Sequence, residues 1–233
     1  MSEARKPGGP VVVTHFSDVL CVWAYVSQVR LDELRRRHPG RVAVRSRLCS
    51  VFADVGTKIV AGWRDRGGPA GYRRHVEDVV AGFEHVRLHE DAWARTVPTT
   101  SATPHAVVKA AELAAFGADD ELGRTPAERL AWQLRLAFFA QGRDVSREDV
   151  ALEVASEIGL PADALRAALR DGSAWAALLR DYEDAAAEQV RGSPTLVLND
   201  RRQVLYGNVG YRVIEANVEE LLRAPAGDDA SWC

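Results

Sequence analysis

Cysteine is scarce in this sequence, which has three among its 233 residues, at positions 21, 49 and 233. Thiols so few and so widely spaced exclude the disulfide framework that stabilises small secreted domains. Long apolar runs are also missing: none approaches the roughly 20 residues that a membrane-spanning helix needs, and residues 1–10 lack the apolar core of a signal peptide. We therefore expect a cytoplasmic protein without a membrane anchor.

A strong excess of either charge is missing as well, because 33 acidic and 30 basic residues give a net charge of −3. Such a balance gives no electrostatic reason to expect binding to nucleic acid or to an anionic membrane. The hydrophobic content of 47% and the charged content of 27% are ordinary for a globular protein. A chain of this length can form one large domain, or a smaller domain that carries an insertion.

The first fifty residues predict a strand, a helix and a second strand. Residues 11–16 are a continuous apolar and β-branched run, typical of a strand buried on both faces. Apolar residues at roughly helical spacing follow over 22–38, and Pro39-Gly40 ends that helix. Residues 41–48 alternate between polar and apolar. A βαβ unit of this kind implies two parallel strands joined by a right-handed crossover.

The middle of the chain predicts helices and no strand. Residues 67–71, Gly-Gly-Pro-Ala-Gly, read as a loop. Thr125-Pro126-Ala127-Glu128 has the cap and proline of a helix start. Helices are predicted over residues 75–86, 106–116, 126–141, 146–159, 161–171 and 173–190.

Strands return near the end, where residues 194–198 and 203–206 predict a β-hairpin turned at Asn199-Asp200. Residues 211–222 predict a closing helix with one apolar face. The predicted fold is therefore α/β, with a large all-helical insertion between the N-terminal βαβ unit and the C-terminal hairpin and helix. We expect four parts: an N-terminal sheet part, the helical insertion, a C-terminal sheet part and a flexible tail, over residues 1–59, 60–185, 186–223 and 224–233.

Cys21 lies where the first strand hands over to the first helix. Free N–H groups and the helix dipole favour negative charge at a helix N-terminus, so the sequence predicts a thiol that ionises readily. The residue three places on is Ala24, and no second cysteine stands in this helix. The alternative for Cys21 is a small buried hydrophobic residue.

Two separated segments carry a resemblance to a known family. Residues 16–25, Phe-Ser-Asp-Val-Leu-Cys-Val-Trp-Ala-Tyr, and residues 192–197, Gly-Ser-Pro-Thr-Leu-Val, resemble the DsbA-like thioredoxin superfamily, in particular its FrnE-type branch. Kappa-class glutathione transferases and 2-hydroxychromene-2-carboxylate isomerases share this architecture. The resemblance implies a thioredoxin-like fold and extends through the helical insertion.

The resemblance also assigns roles to residues. It places Cys21 at the nucleophilic position, and it makes Pro194 a cis-proline that exposes the backbone of Ser193 for strand addition by a ligand. Oxidoreductase members would have a second cysteine at Ala24, whereas the transferases and isomerases have serine in place of Cys21. This chain matches neither pattern.

Other residues near Cys21 have competing interpretations. Ser17 and Asp18 read as helix caps, or Asp18 as a proton acceptor. Trp23 either lies exposed beside the thiol or packs on the insertion. Cys49 reads as a packing residue and His105 as a loose candidate for the site. We expect substrate to contact Ser17, Trp23, Ala24, Ser193 and Pro194.

The leading functional expectation is a thiol–disulfide oxidoreductase that works through Cys21 as a single thiol. A mixed disulfide at Cys21 needs a second thiol to resolve it. That thiol is either a low-molecular-weight one such as glutathione or Cys233, for which the alternative is an inert tail residue.

Two other functions stay open: a kappa-like transferase or chromene-carboxylate-type isomerase that uses a small thiol, and a ligand-binding module without turnover. No bound cofactor or metal is expected. The expected partners are a disulfide-containing protein or a small-molecule thiol, with a homodimer left open.

Overall fold

The computed structural model describes residues 9–223 and has a four-stranded sheet at its centre. The strands β1 (Val11–Ser17), β2 (Val42–Leu48), β3 (Thr195–Leu198) and β4 (Gln203–Tyr206) stand in the order β2-β1-β3-β4. β1 and β2 are parallel, with Val11 opposite Val42, and the other two pairs are antiparallel. The predicted βαβ unit and hairpin are therefore confirmed, and the hairpin pairs with β1.

Helices cover both faces of this sheet because alternate strand residues point to opposite sides. On one face, α1 (Val22–Arg37) and α8 (Tyr211–Arg223) form a core with the strands. On the other face, Phe16 and Val197 pack with Ala185 of α7 (Ser173–Ala187). The β1–α1 connection, which carries Cys21, is thus held between two packed layers.

Six helices lie between β2 and β3, as the sequence predicts. The first five are α2 (Gly68–Ala81), α3 (Ala102–Ala114), α4 (Pro126–Phe139), α5 (Glu148–Glu157) and α6 (Ala162–Arg170), and α7 is the sixth. Two short turns precede them, a π-helical one at Gly56–Ala61 and a 3₁₀ one at Arg64–Arg66.

Two local expectations about these helices have different outcomes. The predicted start of α4 is confirmed, since Thr125 and Glu128 form a reciprocal capping box. The loop expected at residues 67–71 is wrong, because α2 begins at Gly68 with Pro69 in its first turn. Proline favours the first turn of a helix, where its missing N–H has no partner to lose.

The helical region shares a hydrophobic core with the N-terminal half of α1. Tyr25 of α1 is stacked on two rings of α4, with centroids 4.7 Å from Phe139 and 5.5 Å from Trp132. These contacts fix the position of the insertion relative to the helix that follows Cys21. The α/β class with its helical insertion is confirmed, and the boundaries near residues 60 and 186 stay predictions.

Candidate active site around Cys21

Cys21 is the N-cap residue of α1 and meets the loop before β3. Its Sγ donates a hydrogen bond to the backbone oxygen of Ser193, at 3.1 Å, across 172 residues of sequence. The peptide bond between Ser193 and Pro194 is cis. The structure therefore brings together the two segments that carry the family resemblance.

A second hydrogen bond joins the same two loops. The backbone N–H of Asp18 donates to the Ser193 hydroxyl at 2.9 Å. Gly192 fits beside them because it has no side chain: a Cβ there would lie 2.8 Å from the Tyr206 hydroxyl oxygen of β4. The loop around Pro194 is thus positioned by both the Cys21 loop and the hairpin.

The ionisation expected for Cys21 from its place at a helix N-terminus is wrong. The residue is only 5% exposed. Burial is the largest influence and raises the pKa of the thiol. Hydrogen bonds from the Ser193 hydroxyl and from the N–H groups of Ala24 and Trp23 lower the pKa only in part. The nearby charge of Asp18 raises the pKa further. The thiol is therefore predominantly protonated at neutral pH in this conformation.

Asp18 is completely buried and joins three segments of the chain. Its Oδ1 accepts from the N–H of Leu20, and its Oδ2 accepts from the N–H groups of Val51 and Phe52 and from the hydroxyl of Ser101, at 2.7–3.1 Å. Burial alone would raise the pKa of Asp18, but the pKa is lowered overall, and the hydrogen bonds from the Phe52 N–H and the Ser101 hydroxyl contribute to this lowering. Capping of α1 by Asp18 is excluded, since no side chain caps that helix.

His105 of α3 supports the same loop. The N–H of Val19 donates to its Nε2 at 3.0 Å, so that nitrogen carries a lone pair. The ring proton then lies on Nδ1, 2.9 Å from the Tyr182 hydroxyl of α7. His105 therefore orients the backbone two residues before Cys21.

The remaining expected site residues are mostly buried. Ser17 ends β1 and its hydroxyl accepts a hydrogen bond from Arg135 of α4, at 2.7 Å. Ala24 is completely buried, and Trp23 is partly buried with its ring 6.2 Å from that of His75. Their substrate-binding roles stay predictions, and Cys233 lies outside the described residues.

Cys49 is a second thiol near this site. Its N–H donates to the backbone oxygen of Ser17 at 3.1 Å, and its side chain packs against Phe16 and Val197, the packing role that the sequence predicts. Burial raises the pKa of Cys49 strongly, and the charge of Asp18 raises it further, whereas the charge of Arg135 and a hydrogen bond with the Ser193 hydroxyl lower it only in part.

Two polar residues behind the thiol, Arg135 and Tyr182, are not among the site residues predicted from the sequence. Arg135 falls among the apolar residues of α4, with the buried Ala131 and Phe138 near it on the helix. A charged residue among apolar helix positions indicates a buried polar contact, because a buried charge needs hydrogen bonds or a counter-charge. Tyr182 has no comparable signal in the sequence.

Within residues 9–223, no three His, Cys, Asp or Glu side chains are placed to hold a metal ion together. The same part of the chain contains no helix of the length and apolarity needed to cross a membrane.

Comparison with protein families identifies this arrangement. The DSBA-like thioredoxin domain matches residues 12–219, which include both Cys21 and Pro194. The chain belongs to this family. No curated protein sequence matches the chain significantly.

Solved structures of this DsbA-like type share the fold. The probable DsbA oxidoreductase SCO1869 from Streptomyces coelicolor is 22% identical with a TM-score of 0.70, covering 96% of this chain and 93% of its own. Cytosolic disulfide reductase DsbM from Pseudomonas aeruginosa, solved with GSH, is 23% identical with a TM-score of 0.65, covering 91% and 99%. A 2-hydroxychromene-2-carboxylate isomerase is 15% identical with a TM-score of 0.62, covering 94% and 100%.

Proposed function

We propose that this DsbA-like protein is a thiol–disulfide oxidoreductase that works through Cys21 as its only catalytic thiol. The observation that carries the proposal is the contact of Cys21 Sγ with the Ser193 carbonyl oxygen, at the N-terminus of α1 and beside the cis peptide bond of Pro194.

The reaction proceeds in two exchanges. The Cys21 thiolate attacks one sulfur of a substrate disulfide, which forms a mixed disulfide and releases the other sulfur as a thiolate. Ala24 carries no sulfur, so the helix cannot resolve this intermediate. An external thiol, such as glutathione, attacks the substrate sulfur of the mixed disulfide and regenerates Cys21 as a thiolate. The net result is that the external thiol becomes joined by a disulfide to one half of the substrate, and the other half is released as a thiolate.

The Ser193 carbonyl links ionisation of Cys21 to substrate binding. In the free protein this oxygen accepts a hydrogen bond from the Cys21 S–H group. Once Cys21 is deprotonated or in a mixed disulfide, the donor is lost and the carbonyl is free to accept an N–H from an extended substrate. Substrate pairing at Ser193 therefore favours the reacting form of the thiol over the resting one.

Glutathione is the small thiol that we propose for the second exchange. DsbM, which shares the fold, is described as a cytosolic disulfide reductase and was solved with GSH. A cytoplasmic location would supply such a thiol continuously, because glutathione keeps that compartment reducing. The substrate would be a disulfide of a protein or of a small molecule.

The test begins with the intact mass of the protein after incubation with oxidised glutathione. We expect the mass gain of one glutathionyl group, mapped to Cys21, and its loss on addition of reduced glutathione. Cys21→Ser should lose this modification, whereas the matched variant Cys49→Ser should keep it. Reduction of a glutathionylated peptide, followed with glutathione reductase, should disappear in Cys21→Ser only.

Disulfide reduction that survives Cys21→Ser would overturn the proposal. So would a wild-type protein that forms no mixed disulfide, yet accelerates addition of glutathione to an aromatic electrophile, because that result favours the transferase alternative. A disulfide between Cys21 and Cys233 in monomeric protein would replace the external thiol by the C-terminal one.

A further inference from the structure

A cavity of about 680 Å³ lies along the free edge of the sheet. Its walls come from β2, the C-terminal half of α1 and the helices α3 and α4. Neither Cys21 nor Pro194 lines it. The cavity has the size of a small-molecule site, and its lining includes Ser17 but not the reacting thiol.

Arg135 lies on the wall of this cavity and is 3% exposed. Its Nη2 donates to the Ser17 hydroxyl at 2.7 Å, and its Nε has no hydrogen-bond partner. In the part of the chain that the structure describes, no carboxylate lies within ion-pair distance of this guanidinium. Asp18 is the carboxylate whose charge acts on this guanidinium, and its oxygens already accept four other donors.

Two other arginines of the cavity wall have carboxylate partners. Arg35 meets Glu128 at 2.7 Å, and Arg47 lies 3.5 Å from Asp181. A buried cation is stable only when a counter-charge or several hydrogen bonds compensate its lost hydration. Arg45 of the wall is exposed to solvent, so Arg135 is the buried cation of this wall without a counter-charge in the described part of the chain, which points to an anion from outside it.

His15 adds a second unsatisfied group next to Arg135. It lines the same cavity, is 3% exposed, and its Nε2 has no partner. Burial, together with the positive charges of Arg135 and Arg35, lowers the pKa of His15 to about 3. The ring is therefore neutral at physiological pH, and it can take part in a hydrogen bond without bringing a charge.

The rest of the cavity restricts the class of anion. Apolar side chains from three elements form much of the wall, among them Leu31, Val44 and Val108. Three exposed carboxylates, Glu112, Asp119 and Glu121, also line it. They disfavour a highly charged ligand such as a phosphate ester, whereas a single carboxylate can pair with a guanidinium in a bidentate manner.

We propose that this cavity binds a small amphipathic monocarboxylate, with the carboxylate paired to Arg135 and the apolar body between β2 and the helices α3 and α4. The ligand supplies the counter-charge that the chain itself lacks. The apolar wall contributes affinity through burial of the ligand body. The two proposals are measured separately, because titration reports ligand binding at Arg135 and mass reports thiol exchange at Cys21, so either proposal can fail without the other.

Isothermal titration with octanoate tests the proposal, with octanamide as the neutral probe of matched shape. We expect one octanoate to bind per chain, and octanamide to bind weaker by about tenfold or more, as expected for loss of a charge-assisted pair. Arg135→Met should weaken octanoate binding by a similar factor and abolish the preference over octanamide. Arg166→Met, which removes a partly exposed arginine of α6 outside the cavity, should bind as the wild type does.

A second variant covers the case in which Arg135→Met does not fold. Val44→Phe narrows the cavity from β2 without changing any charge, and it should block octanoate. Absence of octanoate binding to the wild-type protein would overturn the proposal. Equal affinity for octanoate and octanamide would also overturn it, as would unchanged octanoate binding by a folded Arg135→Met or Val44→Phe protein.

Discussion

Replacement of Asp18 by asparagine should destabilise the fold more than any exposed Asp→Asn change. The carboxylate accepts one hydrogen bond at Oδ1 and three at Oδ2. An amide has one acceptor oxygen and one donor group, so some donor must lose its acceptor whichever way the amide turns. With the oxygen kept at the Oδ2 position, the N–H of Leu20 is left without a partner.

The magnitude follows from these bonds. Each of the three bonds that remain loses its charge assistance, about 1 kcal/mol each, and a buried unsatisfied N–H costs about 1–3 kcal/mol. The carboxylate's own desolvation is relieved in the variant, which offsets part of this loss. We expect a net loss of about 2–4 kcal/mol in the free energy of unfolding. For a domain of this size the melting temperature should fall by roughly 4–16 °C.

The effect should depend on pH in a defined direction. The pKa of Asp18 is lowered in the folded protein, so its contribution is fully present above the ordinary carboxyl pKa of about 3.9. The contribution is lost as pH falls through the lowered value. The difference between wild type and Asp18→Asn should therefore be largest near pH 7 and shrink below about pH 4.

Urea unfolding at pH 7, 5 and 3 measures this difference, with Asp163→Asn as the control. The Asp163 side chain is fully exposed and pairs only with Arg166 at 2.7 Å, so this change should stay within about 0.5 kcal/mol. An Asp18→Asn protein as stable as the control at pH 7, or a difference that does not shrink in acid, would refute the assigned role of Asp18.

Three further outcomes are expected. Alkylation of Cys21 by iodoacetamide, followed by peptide mapping, should keep rising with pH through pH 8, because burial raises the pKa of this thiol; a plateau below pH 7 would contradict this. Thr125→Ala should lower the free energy of unfolding by about 1 kcal/mol through loss of the capping box with Glu128, as measured by urea titration. Tyr182→Phe should cost about 1–3 kcal/mol in the same assay, because it leaves the Nδ1–H of His105 without a partner; unchanged stability would argue for the other tautomer.

Much of the fold could be predicted because its signals are local. Hydrophobic periodicity located β1, β2 and α1, and the Thr125-Pro126 pair located the start of α4. The glycine-rich residues 67–71 predict a loop, whereas α2 begins at Gly68. Packing against the rest of the folded chain decides between loop and helix here, and the local sequence does not contain that information.

The candidate site divides in the same way. Local sequence places Cys21 at the start of a helix, and the family resemblance pairs it with Pro194. The protonation state of the thiol depends on the folded chain, because the helix N-terminus favours ionisation locally but burial among distant segments raises the pKa. The same holds for Asp18, His105 and Arg135, because each of these side chains has a hydrogen-bond partner 33 or more residues away. Local structure follows from short-range patterns, whereas desolvation and charge compensation depend on groups that only the folded chain brings together.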